Sequence, residues 1–294
     1  MSRQLTFSIF LLMLPFSIQA QLNIPKDVKV SKDIIYNIID QDTLILDVYW
    51  HEATATKQPL VIWIHGGGWG KGSKNNPKEA VKLLDHGYAV ASINYRLSHQ
   101  AKFPAQIMDC KAAIRWLKAH AAQFNVDSSR VGVWGASAGG HLSALVGTSW
   151  HVEDWDKLGD NQTVSSKVQA MCDYYGPTDF LRMDDRPGKI IHNAPDSPEG
   201  RLIGGPIQEN QTKTKEANPI NYIQNITPPF LILHGKEDAL VLWEQSQILY
   251  DALKDHNQSA EIILFEGLGH GGKGWSALFE HPLRFFNKVL KNKK

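Results

Sequence analysis

Ser137 stands in Gly135-Ala136-Ser137-Ala138-Gly139, a G-x-S-x-G run in which small residues fence a hydroxyl. That spacing suits a sharp strand-to-helix turn, too tight for bulky neighbours, that lifts the serine oxygen clear of a sheet and sets the free N–H groups of a helix start beneath the reacting atom. The chemistry is nucleophilic attack on a carbonyl. A serine needs a base to take its proton and an acid to orient that base, and on such a scaffold they follow in the order Ser, Asp/Glu, His. Asp238 in "HGKEDALV" and His270 in "EGLGHGG" occupy those places, each a few residues beyond an apolar run. Glu237 and the earlier Asp179 in "YYGPTDF" compete for the acid's role. Of the other histidines, His65 reads as a brace for a glycine loop, His141 as a packed helix residue and His234 as the residue before a turn.

A tetrahedral intermediate carries a negative oxygen and needs donors already in place. "IHGGGWGKG" at 64–72 supplies a glycine loop, free of Cβ atoms, whose backbone N–H groups can turn inward. Gly67 and Gly68 are the expected donors, with the N–H of Ala138 as the third. A phosphate-binding loop would need G-x-x-x-x-G-K-[ST], and Lys71 is followed by Gly72 instead. Trp69, Tyr174, Tyr175 and Trp275 flank these loops and are the aromatic candidates for a sugar or acyl platform. "NYRLS" at 94–98 reads as shaping the sheet edge.

These groups need a scaffold that brings distant segments to one rim. Apolar, β-branched runs at 60–64, 88–94, 131–134, 168–174, 230–234 and 261–265 suit strands buried on both faces of a parallel sheet. The segments near 28–38 and 43–50 alternate more and read as an antiparallel entry. Between them 77–86, 104–120, 138–148, 242–256 and 281–291 have helical spacing; Ile107, Cys110, Ile114 and Leu117 form one apolar face. Strand alternating with helix predicts a doubly wound α/β sheet. Residues 176–228 break that rhythm with Pro- and Gly-containing polar sequence, and read as an insertion with short helices over one end of the sheet.

Composition narrows the function. The chain has 294 residues, 43% hydrophobic, with 31 Lys+Arg against 30 Asp+Glu and a net charge of +1. That balance favours neither nucleic acid nor an anionic membrane surface as a partner. Arg3, an apolar run over 7–16 and Ser17-Ile18-Gln19-Ala20 have the layout of a cleavable leader, with the cut after Ala20 and export to a secreted or periplasmic location. Residues 21–294 then form one catalytic domain. Cys110 and Cys172 are the chain's two cysteines; in an oxidising compartment they form one disulfide or stay as two buried thiols, and they make no zinc site.

The blocks "HGGGW", "NYRLS", "GASAGG", "YYGPTD", "HGKEDALV" and "GLGHGG", in that order, resemble the α/β-hydrolase esterases, within them the bacterial feruloyl- and acetyl-esterase-like group near the hormone-sensitive-lipase-like enzymes. The likeness covers nearly all of 28–290. It departs from the lipase-like members at Ala136, where they usually carry Asp. It implies hydrolysis of carboxylic esters with no metal or organic cofactor, and acetyl or feruloyl esters of plant polysaccharides as a substrate class. A serine peptidase of the same fold and a catalytically inactive binding module are the competing readings; the first usually carries a large gating domain that this length does not accommodate. Oligomeric state is not legible.

Overall fold

Two long alternating segments open the fold, β1 (Val28–Ile39) and β2 (Asp42–His51), paired antiparallel from Val28↔His51 to Ile39↔Asp42. The computed structural model describes residue 22 and residues 24–291; the leader read at 1–20 lies outside the described residues. β3 (Gln58–Ile64) follows, then a 3-10 segment, Lys78–His86, and β4 (Ala89–Ile93). α1 (Ala105–Ala119) leads to β5 (Val126–Ala136), which runs into α2 (Ala138–Thr148), and β6 (Ala170–Tyr174) comes next. After α3 (Pro198–Ile203) and α4 (Gln211–Glu216) the chain returns through β7 (Phe230–Gly235), α5 (Glu244–Asp255), β8 (Ala260–Phe265) and α6 (Glu280–Phe286).

The eight strands form one sheet in the order β1-β2-β4-β3-β5-β6-β7-β8. β2 is antiparallel to both its neighbours, and every pairing from β4 to β8 is parallel. The apolar runs form the central strands because both faces are covered: β3, β4, β6 and β7 are buried at every position, and β5 is buried from Val131 to Ala136. Period-2 alternation splits their side chains into two cores. Ile62, Val133, Ile114, Leu142 and Leu249 belong to the core under α1, α2 and α5. Val61, Trp134, Leu84 and Phe286 belong to the one under the 3-10 segment and α6. Cys110 lies in the first core and Cys172 in the second, both as buried free thiols, so the geometry resolves the cysteine alternatives against a bridge.

Two expected helices differ in detail. The 77–86 segment is 3-10, closed by Gly87 in the left-handed region at φ 69°. The last one changes from α to π winding over Asn287–Lys291. Within 176–228 the chain forms α3, α4 and two 3-10 turns, Phe180–Arg182 and Pro219–Tyr222. α3 starts where the sequence asks for a start: Ser197 accepts from Gly200 N–H, and Pro198 fills the first helical position. No helix among the described residues is long and apolar enough to cross a membrane.

Candidate active site

Ser137 sits at φ 57°, ψ −124°, between the last residue of β5 and the first of α2. A residue with a Cβ rarely adopts that conformation, so its surroundings must hold it there. They do so by hydrogen bonds and by close packing. Ser137 N–H donates to Tyr174 O at 2.8 Å, and His141 N–H donates to Ser137 O at 3.1 Å. Gly139 packs so tightly against β3 that a Cβ there would lie 2.1 Å from Ile64 O.

His270, on the loop after β8, connects the serine to the acid. Its Nε2 is 2.8 Å from Ser137 Oγ and its Nδ1 is 2.6 Å from Asp238 Oδ2. With the proton on Nδ1, Nε2 accepts from the hydroxyl, which is the tautomer a base requires. Asp238, on the loop after β7, is 2% exposed. Its Oδ1 accepts from the N–H groups of Leu240 and Val241, each at 2.9 Å. Oδ2 also meets His234 Nε2 at 3.2 Å, and that ring is fixed by Ser246 Oγ at 2.6 Å and Val241 O at 2.8 Å. Burial alone would raise the Asp238 carboxyl; the hydrogen bonds and charges of His234 and His270 outweigh it and hold it at about 2. His234 was read from sequence only as the residue before a turn. The signal for its role is its place near the end of β7, four residues before Asp238. Asp179 instead caps the 3-10 turn at Phe180, accepting from Leu181 N–H, and Glu237 is exposed.

The glycine loop faces the elbow. Gly67 and Gly68 have φ of 113° and 58°, values that only glycine adopts freely. A Cβ on Gly67 would meet Lys71 O at 2.2 Å. The Gly67 carbonyl takes the N–H groups of Gly70 and Lys71, while the N–H groups of Gly67 and Gly68 donate to no backbone acceptor among the described residues. Ala138 opens α2, where a helix N–H has no intrahelical partner. His65 braces this loop: its Nδ1 is 2.8 Å from Gly66 O and its ring stacks on Tyr95 at 4.2 Å. Burial pushes its imidazole down to about 4, so it is neutral at physiological pH. The "NYRLS" segment does more than shape the sheet edge. Tyr95 OH donates to His65 O at 2.9 Å, and Ser98 N–H donates to Trp69 O at 2.8 Å.

Ser137, His270, Ala138 and the glycine loop share a cavity of about 840 Å³ with Tyr175 and, from the insertion, His192, Pro198 and Glu199. The aromatic platform needs correction. Tyr174 is 1% exposed, does not line the cavity and packs on Trp134 beneath the sheet. Trp275 is also buried away from the cavity: its Nε1–H donates to Gly269 O and its ring supports Tyr175 at 4.4 Å. Nearness to a strand end or loop in sequence does not say whether a side chain lines the cavity or packs in the core behind it, where Tyr174 and Trp275 join Tyr175. Trp69 belongs to the cavity wall, yet at 1% exposure its ring is wedged between His141 and Phe180. Tyr175 alone of the four presents a ring beside the base, 4.7 Å from His270, because φ 44° turns it out of the strand. His141 packs as expected, with Nε2 2.7 Å from Ala217 O. Among the described residues no three His, Cys, Asp or Glu are grouped to hold a metal ion.

The BD-FAE family model matches residues 46–253. The chain is 31% identical over 237 residues to esterase LipC of Mycobacterium tuberculosis, covering 79% of this chain and 58% of LipC. It spans about half the length of the curated relatives it matches, 45% of the probable carboxylic ester hydrolase LipM and 47% of the esterase LipQ of the same organism. Among solved structures it is similar to a truncated carbohydrate esterase from gut microbiota, with TM-score 0.79, 31% identity and coverage of 90% of this chain and 98% of that one. It is also similar to an acetyl ester-xyloside bifunctional hydrolase from Caldicellulosiruptor lactoaceticus, with TM-score 0.71, 26% identity and coverage of 85% and 90%. With the family model spanning more than half its length and the sheet order traced above, the chain belongs to the BD-FAE family and has the α/β-hydrolase fold of its esterase relatives.

Proposed function

We propose that the chain is a serine carboxylic-ester hydrolase that removes acetyl or feruloyl groups from plant or algal polysaccharide fragments, exported by the leader at 1–20. The observation that carries this reading is the continuous hydrogen-bonded path from Asp238 through His270 to Ser137, ending in an open cavity. The names of the similar solved structures, a carbohydrate esterase and an acetyl ester-xyloside hydrolase, support the sugar-ester part.

In this mechanism His270 takes the Ser137 proton as Oγ attacks the ester carbonyl, and an acyl-enzyme forms as the alcohol leaves with a proton from His270. Water then enters with the same base, and the acid is released. Asp238 stays ionised and steadies the imidazolium. The N–H groups of Gly67, Gly68 and Ala138 hold the oxyanion, and losing one such donor costs about 10²–10³ in kcat. The test offers purified protein p-nitrophenyl acetate, methyl ferulate and acetylated xylan. Release of acetate or ferulate that disappears in Ser137→Ala is the expected result; turnover that survives in Ser137→Ala overturns the assignment.

A further inference from the structure

The insertion brings a second histidine–carboxylate pair into the same cavity. His192 and Glu199 both line it, are 3% and 2% exposed, and meet through Nδ1 and Oε2 at 2.8 Å. The pair is built in from both sides. His192 N–H donates to Asp184 Oδ1, its carbonyl accepts from Ser197 Oγ, and Ser197 in turn caps the helix whose first turn carries Glu199. Pro198, the residue before Glu199, abuts the glycine loop: a Cβ placed on Gly68 would lie 3.1 Å from Pro198 Cβ. Glu199 thus stands beside the loop assigned to the oxyanion.

Burying two ionisable groups costs about as much as their attraction returns, so an apolar pair of the same volume would serve stability equally well. This pair also leaves something unused. Glu199 Oε2 is taken by His192, and Oε1 accepts no hydrogen bond from a described residue. A carboxylate oxygen on a cavity wall is an acceptor for a donor on the ligand. An acetyl group has no such donor, whereas a sugar alcohol has hydroxyls next to the esterified oxygen.

We propose that Glu199 is a substrate-binding residue that accepts a hydrogen bond from a free hydroxyl of the alcohol half of the ester, selecting polyhydroxylated alcohols, with His192 as its positioning residue. This rests on the ester-hydrolase reading above. His192 is held more basic than an ordinary histidine: burial opposes its charge, but the Glu199 hydrogen bond and charge outweigh burial. The His192 ring, hydrogen-bonded to Oε2, holds the Glu199 side chain so that Oε1 is left to the cavity.

The experiment compares kcat/KM for a mono-O-acetyl methyl β-xylopyranoside and for p-nitrophenyl acetate in the wild type and in Glu199→Gln. A hydrogen bond to a charged group is worth about 10- to 100-fold. Glu199→Gln is expected to lose that much more on the sugar ester than on the aryl ester, chiefly through KM. Equal losses on both, or no loss on either, overturn the proposal, as does a wild type active on the aryl ester and inert on the sugar ester. A matching extra loss on methyl ferulate overturns the assignment to the alcohol half. Calorimetric binding of acetylated xylotriose to Ser137→Ala, with and without Glu199→Gln, separates recognition from turnover; equal affinities overturn the proposal. Failure of the esterase reading is distinct, since there the wild type itself leaves p-nitrophenyl acetate intact.

Discussion

Two histidine–carboxylate pairs meet one cavity, the first through His270 alone and the second through both His192 and Glu199, and they differ in what each carboxylate has left to give. Asp238 is saturated: two backbone N–H groups hold Oδ1, and His234 and His270 meet at Oδ2. Glu199 has one partner, His192, and an unclaimed oxygen. The first carboxylate therefore acts through its histidine, whose far nitrogen reaches Ser137. The second acts past its histidine, toward the cavity. A third buried carboxylate, Asp173, extends the series. It has no histidine; its Oδ1 accepts from Gly176 N–H at 2.9 Å and its Oδ2 has no partner. Burial pushes it up to about 7. Among these three acids, two histidines go with a firmly ionised carboxylate, one with an oxygen left to the cavity, and none with a carboxyl pushed toward neutral.

The comparison breaks most visibly at the saturated pair. Replacing Ser137 with Ala should reduce kcat on p-nitrophenyl acetate by about 10⁴-fold or more. Asp238→Asn should follow, at about 10⁴-fold, because an amide favours the wrong His270 tautomer; initial-rate kinetics check both. The same substitution removes a pH-dependent contribution to stability. A carboxyl held at about 2 instead of its ordinary 3.8 stabilises the fold above pH 4, and that gain is lost as pH falls toward 2. Urea unfolding should therefore show a weaker decline in this window for Asp238→Asn. A smaller, selective effect of about 10- to 100-fold is expected from Glu199→Gln on sugar esters.

Asp173→Asn should leave turnover nearly unchanged and act on stability instead, with the opposite sign. In the folded chain Asp173 keeps its proton up to about pH 7, while the unfolded chain loses it near 3.8. Wild-type stability should thus fall through this group as pH rises from about 4 to about 7. The Asn variant, which retains an acceptor for Gly176 N–H, should lose that slope and be more stable at pH 8. Urea denaturation at pH 5 and pH 8 checks it; an unchanged slope would remove Asp173 from the series.

The sheet and elbow were legible because their signals are local and repeated. The apolar runs 60–64, 131–134 and 230–234 lie within β3, β5 and β7, and Gly135–Gly139 encodes a turn whose geometry only small residues tolerate. The order Ser137, Asp238, His270 followed from chemistry placed at strand ends. The cavity wall was not legible. Tyr174 and Tyr175 are neighbours in sequence and pack in the same core cluster, yet only Tyr175 reaches the cavity beside His270. His192 and Glu199 lie in 176–228, where no periodicity says which side chains meet. Ser197-Pro198 was a readable helix start, and it would have put Glu199 in a first turn. It carried no indication that this turn docks on Gly68, because that contact joins segments far apart in the chain.

The central claim is that Ser137 is the nucleophile driven by His270. Trapping with a chromogenic phosphonate ester followed by peptide mass mapping tests it most directly. One equivalent of adduct on the peptide containing Ser137, absent in Ser137→Ala and formed far more slowly in His270→Ala, is the predicted result. An adduct on another residue, or ester turnover that persists while Ser137 is blocked, would contradict it.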